Sequence, residues 1–314
     1  MKWSVSKSRI FSKCQKKWYY SEIVATHGKK DQFRRQIYLL KQLKSIYSWR
    51  GDLVDKVIGK TIIPGIKKRN LPSEEEVINY ATQLAERQLT FANTQKYLYT
   101  TKKEAGDDYC AIYDLEYHGE INSSQIDEAQ KDIKMALTNF MRSSLLKSLC
   151  SEDLYFLTQR TLSFNFAGAV IYCIPDLIVF HKKNPPTIID WKVHTFGNTE
   201  YWLQLGIYGF VLSQMQPHTD FLDFKELLSD PTKFVLIEYQ LLKDVQRIYD
   251  ISPEELSDIE DYIFTSITQI NSLVNEKKYG EIDIGKFQTA HNSDVCMNCE
   301  FRKVCWEDNR NGTN

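Results

Sequence analysis

No apolar run in this 314-residue chain approaches the length of a membrane span. Lys2, Lys7 and Arg9 near the start have no apolar stretch behind them, so no secretory leader is expected. These two absences set the expectation of a soluble, cytoplasmic protein that makes no membrane contact. Internal repeats and low-complexity tracts are missing too, which argues against a solenoid or a disordered linker. There is no GxxxxGK[ST] sequence, so this chain carries no recognisable nucleotide-driven motor. The seven cysteines, an odd count without a leader, do not make a disulfide framework.

What is present is unevenly spread. Residues 1–70 hold 18 Lys and Arg against 4 Asp and Glu, whereas residues 71–314 hold 22 against 37. The basic segment reads either as an electrostatic footprint for nucleic acid or as a solvated helical face. Lys16, Lys17, Arg34, Arg35 and Arg50 are its candidate phosphate contacts, with Trp18 or Tyr19 available to stack on bases.

Periodicity predicts a helix over 6–22, a second over 31–47, and a short third piece opened by Gly51 and Asp52. Pro64, Gly65 and Pro72 mark residues 61–72 as a loop. Ser73 followed by three glutamates caps a helix that runs by pattern to about Thr101. Residues 104–120 are ambiguous, and 123–149 read as one long helix. From Gln159 the period changes to that of strands: RTLSFNFAG alternates, AVIYCIPDLIVF is a β-branched and aromatic run, and TIIDWKVH follows the turn HKKNPP. A helix follows Gly197 and Asn198, then a strand over 233–242. The last long helix starts at Ser252-Pro253-Glu254-Glu255 and ends near Lys278. The order is that of an α/β fold with a mixed sheet. The expected divisions are an N-terminal helical segment over 1–65, a helical insertion over 66–150, a core over 151–280 and a cysteine segment over 281–314.

Asp176 falls in one apolar strand, and Asp190 and Lys192 fall in the next. A carboxylate in such a place is costly unless it is paired or holds a metal. Strand alternation puts Asp190 and Lys192 on one face and Trp191 on the other. The hairpin can bring Asp176 beside them. Two carboxylates, with the Trp191 carbonyl as a further ligand, suit Mg²⁺ or Mn²⁺, and the lysine can orient water or stabilise charge on a phosphate. The alternative is a buried Asp–Lys ion pair without chemistry.

Pro175-Asp176 and Asp190-Trp191-Lys192 resemble motifs II and III of the PD-(D/E)XK nucleases. Gln204 and Tyr208, a helical turn apart, resemble the QxxxY motif of the RecB-like branch. The resemblance implies a restriction-endonuclease-like core and a metal-dependent DNA nuclease. It also implies that Gln204 and Tyr208 help orient the lysine, with Tyr208 touching DNA. The family's upstream G-x-x-V-H pattern is matched in spacing by Gly51-Asp52-Leu53-Val54-Asp55, but Asp55 replaces the histidine. Asp55 is either a harder ligand that tilts preference toward Mg²⁺ or a solvent-facing helix residue.

Cys296, Cys299 and Cys305 form C-x2-C-x5-C, and Cys14 is the natural fourth ligand. On the residues alone, iron–sulfur, a zinc site completed by His291, and free thiols all stay open. The split arrangement resembles the iron–sulfur RecB-like nucleases, which implies a [4Fe–4S] cluster stapling the two ends. Cys110, Cys150 and Cys173 read as core thiols. The function implied is an exonuclease on single-stranded DNA or DNA ends, in repair, recombination, CRISPR adaptation or phage defence, with a helicase or integrase as partner. The competing expectation is a DNA-end or partner-binding module without catalysis, in which the cluster is a structural staple.

Overall fold

The computed structural model describes residues 1–26, 31–151, 154–194, 201–215 and 226–311. After the short strand β1 (Lys2–Trp3), Ser4 caps helix α1 (Val5–Lys13) by accepting the Lys7 N–H. The single helix expected over 6–22 is broken at Cys14, whose extended backbone ends α1. Cys14 then caps α2 (Gln15–Tyr19), its Sγ accepting the Lys17 N–H at 3.4 Å. Periodicity does not show this break, because the apolar stripe continues across it. A wide π-turn follows over Tyr20–Val24.

Helix α3 (Gln32–Leu40) stops well short of residue 47, because Ser45 caps a new helix, α4 (Ile46–Val57). Gly51 therefore lies inside α4 rather than opening it. The expected loop over 61–72 is partly helical, with a π-turn over Ile58–Ile62 and then α5 (Ile63–Lys67). Pro64 sits in the first turn of α5, where its missing N–H costs nothing. Gly65 is needed for packing, since a Cβ there would lie 2.7 Å from Pro72.

The glutamate-rich cap works as expected, with a reciprocal Ser73–Glu76 capping box starting α6 (Glu74–Asn93). That helix ends before Thr101 because Gln95 adopts a left-handed conformation. Helices α7 (Lys102–Ala105) and α8 (Tyr113–His118) occupy the ambiguous stretch. Residues 123–149 form two helices, α9 (Ser123–Arg142) and α10 (Ser144–Ser151). Ser143 leaves the helix between them and accepts the Leu146 N–H at 3.1 Å.

The central sheet runs β2 (Tyr155–Thr158), β5 (Leu177–Phe180), β6 (Thr187–Lys192), β7 (Val235–Gln240), β8 (Val245–Tyr249). A smaller sheet orders β1, β4 (Ala169–Cys173) and β3 (Leu162–Phe166). The run AVIYCIPDLIVF, expected as one strand, is thus divided between two sheets. Pro175 lies in the break, since it offers no N–H to a ladder. Strands β1, β2 and β8 are additions that the sequence reading did not contain. The β5–β6 hairpin is antiparallel as expected, and β6 pairs with β7 in parallel across helix α11 (Tyr201–Gln214). Residues 195–200, including Gly197 and Asn198, lie outside the described set. The last long helix, α12 (Pro253–Val274), keeps its expected cap but ends at the left-handed Asn275.

The central sheet has a core on each face. Ile178, Phe180, Ile188 and Leu236 pack with α1, α11 and α12. Leu177, Val179, Ile189, Trp191 and Tyr239 pack with α4, α6 and α9. The expected boundary at 65/66 falls inside α5. Residues of the 66–150 segment share one core with α4 and the sheet. Phe140 on α9 is fully buried against Trp191 and Tyr239, with ring centroids 5.8 and 6.3 Å away. Phe140→Ala is expected to cost about 3–5 kcal/mol in chemical denaturation. A cost below about 1 kcal/mol would mean that the helical layer does not close on the sheet.

Candidate active site

Alternation along β6 turns Asp190 and Lys192 to the α11 face and sends Trp191 into the opposite core. Asp176 lies not within a strand but in the bend after Pro175. The β5–β6 register pairs Leu177 with Ile189, so Asp176 comes opposite Asp190. The Trp191 backbone N–H donates to Asp176 Oδ2 at 3.0 Å. Lys192 forms an ion pair with Asp190, which is only 4% exposed.

Helix α11 closes the site from above. Gln204 Nε2 reaches both Asp190 Oδ1 (3.2 Å) and the Tyr208 hydroxyl (2.7 Å). Gln204 Oε1 in turn accepts from Arg9 Nη1 at 3.2 Å. Tyr201, in the first turn of the same helix, bonds His194 at 2.7 Å and lies under the Lys192 ammonium. Asp55 is half-buried. Helix α4 carries it to the Trp191 indole, whose Nε1 donates to Asp55 Oδ1 at 2.6 Å.

The electrostatics follow from this crowding. Burial raises the Asp55 carboxyl to about 6, and the Asp190 charge adds to the rise while the indole opposes it. Burial, then Asp190 and Asp55, push Asp176 well above the ordinary carboxylate range. Burial works against the Lys192 ammonium, but Asp190 and Asp176 more than offset it and hold it above the usual lysine value. Burial and the same two acids raise the Tyr208 phenol. Three carboxyl groups thus crowd one ammonium, and their oxygen donors fit a hard divalent cation, whose charge would favour their ionised forms. Among the described residues no three His, Cys, Asp or Glu side chains are drawn into a finished metal-holding group. Each of the three carboxylates is turned toward a protein donor instead.

Three nearby residues escaped sequence reasoning. Glu238, fully buried, pairs in register with Asp190 on the neighbouring strand and accepts from Gln240 (2.9 Å) and Tyr249 (2.8 Å). An acid within the apolar run VLIEYQ was a usable signal, the same one that marked Asp190. Arg9 and Tyr201 gave no such signal, because a basic helix and an aromatic helix start are ordinary.

Several nucleic-acid contacts require correction. Arg34 is buried and donates to the Val24 carbonyl at 3.0 Å and to Thr26. Arg50 is buried and binds Asp132 and the Val193 carbonyl. Burying a guanidinium is costly without such partners, and both are engaged inside the protein. Lys17 pairs with Glu300 at 2.6 Å. Arg35 is half-buried and donates to the Leu98 carbonyl, and Lys16 is half-buried. Trp18 and Tyr19 are core residues, 3% and 5% exposed, and cannot stack on bases.

Cys14, Cys296, Cys299 and Cys305 line one small cavity. Cys296 comes from helix α13 (Ser293–Met297) and Cys305 from α14 (Arg302–Asn311). The Cys14 and Cys299 sulfurs each accept a backbone N–H at 3.4 Å. Burial, then Glu300, pushes the free Cys299 thiol up to about 12. Sulfur donors of this kind suit zinc or an iron–sulfur cluster. His291 does not line the cavity. Cys110 and Cys173 are buried as expected, whereas Cys150 is exposed.

The family model described as the PD-(D/E)XK nuclease superfamily matches residues 2–306. No curated protein matches the sequence. A crystal structure of a candidate exonuclease from Eubacterium rectale is 12% identical over 85% of this chain and 91% of its own, with a TM-score of 0.35. The solved protein SSO0001 is 15% identical over 58% of this chain and 77% of its own, with a TM-score of 0.30.

The raised Asp55 carboxyl has a measurable consequence in metal-stripped protein. Between the ordinary 3.8 and about 6, the folded state holds a proton that the unfolded state has released. Stability is therefore highest below this window and falls as pH rises through it, by at most about 3 kcal/mol. Asp55→Asn keeps an acceptor for the indole and removes the ionisation. Denaturation from pH 4 to 7 in chelator should show a smaller decline in the variant. Superimposable profiles would contradict the assigned crowding.

Proposed function

The chain belongs to the PD-(D/E)XK nuclease superfamily, and on that premise we propose that it is a Mg²⁺- or Mn²⁺-dependent deoxyribonuclease. It hydrolyses phosphodiester bonds as an exonuclease on single-stranded DNA or DNA ends, in repair, recombination, CRISPR adaptation or phage defence. The observation that carries this reading is a single connected network. Gln204 joins Asp190 to Tyr208, and Lys192 sits on the same carboxylate.

Asp176 and Asp190 would hold the cation, with Asp55 and the Trp191 carbonyl as further donors. When bound, such a cation activates water and offsets charge on the phosphate. Lys192, kept protonated by its acidic neighbours, stabilises negative charge that builds on the phosphate oxygens. Gln204 fixes the orientation of Asp190, and Arg9 fixes Gln204. A helicase or an integrase is the class of partner this reading suggests, since this chain has no GxxxxGK[ST] sequence of its own.

A second reading, a DNA-end-binding module without cleavage, is favoured by one observation. Asp55 stands where the family has histidine and is tied to the Trp191 indole. Labelled single- and double-stranded DNA with Mg²⁺ or Mn²⁺ separates the two. Asp190→Asn and Lys192→Ala are expected to lower cleavage roughly a hundredfold or more. Cleavage at the unaltered rate would sink the catalytic assignment, and tight binding without any cleavage would establish the second reading.

The four cysteines support placement in the iron–sulfur RecB-like branch, with a [4Fe–4S] cluster across the two ends of the chain and Zn²⁺ as the alternative. Their convergence on one cavity and the N–H bonds to two sulfurs are the basis. Anaerobically purified protein should be brown, with about four iron and four sulfide per chain, and Cys14→Ala should lose both. A colourless preparation with stoichiometric zinc would reverse the assignment.

A further inference from the structure

One side of α4 delivers Asp55 to the acidic site. The adjoining side, carrying Trp49, Asp52 and Lys56, opens into a separate cavity of about 210 Å³. Asp55 and Lys56 are consecutive, so their Cα atoms are about 3.8 Å apart, while their side chains diverge by about 100° around the helix. The cavity and the acidic site therefore share one helical turn.

The wall of this cavity is cationic. Lys44, Lys56 and Lys102 converge on it from three segments, with the buried Gln42 and Gln88 beside them. Its two carboxylates are already engaged: Asp52 by Lys44 and Asp107 by Lys60. Lys56 donates to the Asp107 carbonyl at 3.0 Å, and Lys102 rests 5.6 Å over the Tyr109 ring. The ammonium groups crowd one another. Burial, then Lys102 and Lys56, pulls Lys44 down to about 8, and burial, then Lys56, lowers Lys102. An anion in the cavity would relieve this repulsion, as a cation relieves it among the carboxylates next door.

We propose that this cavity is a phosphate pocket that receives the terminal phosphate of a DNA strand engaged at the acidic site. A terminal monoester carries close to two charges at neutral pH, against one for an internal diester. It suits a wall of several ammonium groups better. A cavity of about 210 Å³ has room for a phosphate group. The phosphate chemistry stands on the lysines alone, whereas the strand end as its source rests on the nuclease reading.

The test uses full-length protein in chelator, so no cleavage enters it. Inorganic phosphate is titrated calorimetrically into the unaltered protein, Asp190→Asn, Lys44→Gln/Lys102→Gln, and Lys102→Gln alone. The last alters an exposed side chain and serves if the double variant does not fold. Oligonucleotides ending in 5′-phosphate, 3′-phosphate or hydroxyl are then compared. Phosphate should bind the unaltered protein and Asp190→Asn alike, and the double variant about tenfold more weakly. One phosphorylated end should bind about tenfold tighter than the hydroxyl end, and the lysine substitutions should abolish that preference. Undiminished phosphate binding in the lysine variants, or no binding to the unaltered protein, overturns the pocket. Equal affinity of phosphorylated and hydroxyl ends, with phosphate still bound, overturns the strand-end source and assigns the pocket to the free ion. Failure of the nuclease reading would appear only in the cleavage assay and would leave the phosphate titration intact.

Discussion

Trp191 is the residue on which the acidic site depends. Its backbone N–H holds Asp176, its indole N–H holds Asp55, and its ring packs against Phe140 in the helical layer. Two of the three carboxylates therefore take their positions from one residue in the central strand. The third, Asp190, is its immediate chain neighbour and points the other way. Errors in the packing of the helical layer thus pass directly into the site. The α4–α6–α9 layer is accordingly part of the active-site scaffold, not an appendage.

The charge pattern reflects a common physical problem solved twice. Carboxylates are gathered around Lys192, and ammonium groups are gathered around the cavity beside α4. Each group repels itself, and α4 separates the two. Lys44 and Asp55 feel each other's charge across the helix, each holding the other toward its ionised form. If each held its counterion, as proposed above, occupancy of the one would be coupled, weakly, to the other. A cation at the carboxylates removes part of the field that favours protonated Lys44, and an anion among the lysines restores it.

The legible parts of the sequence were those set by strand alternation and by capping chemistry. Asp190, Trp191 and Lys192 could be placed on their faces from the pattern alone, and Ser73 and Ser252 marked true helix starts. What could not be read depended on contacts remote in sequence. Cys14 ends a helix whose apolar stripe runs on, and nothing local reveals that its sulfur replaces the next backbone acceptor. The division of AVIYCIPDLIVF between two sheets depends on partners in β1, β3 and β6. Arg34 and Arg50 looked like surface cations because composition reports charge and not depth. Each is buried on carbonyls that only the folded chain supplies. Arg9 was invisible for the opposite reason. Its contact with Gln204 spans 195 residues of sequence.

That contact ties the Gln204–Asp190 network to the junction between the first and last segments of the fold. The segment bearing Arg9 is fixed by partners late in the sequence: Trp3 donates to Ser266 at 3.0 Å, and Ser8 bonds both Ser266 and Tyr262. Further on, Phe287 stacks on Trp18 at 6.4 Å and meets Tyr19, while Lys17 pairs with Glu300. Loops of this length cost entropy to close, although the cost grows slowly with length. Several contacts act together to meet it, and the aromatic set among them needs no metal. A cluster among the four cysteines would tighten a junction that packing already forms. The order of dependence then runs from the junction to α1, from α1 through Arg9 to Gln204, and from Gln204 to Asp190. The cysteine cavity lies at this same junction, with Cys14 directly after α1.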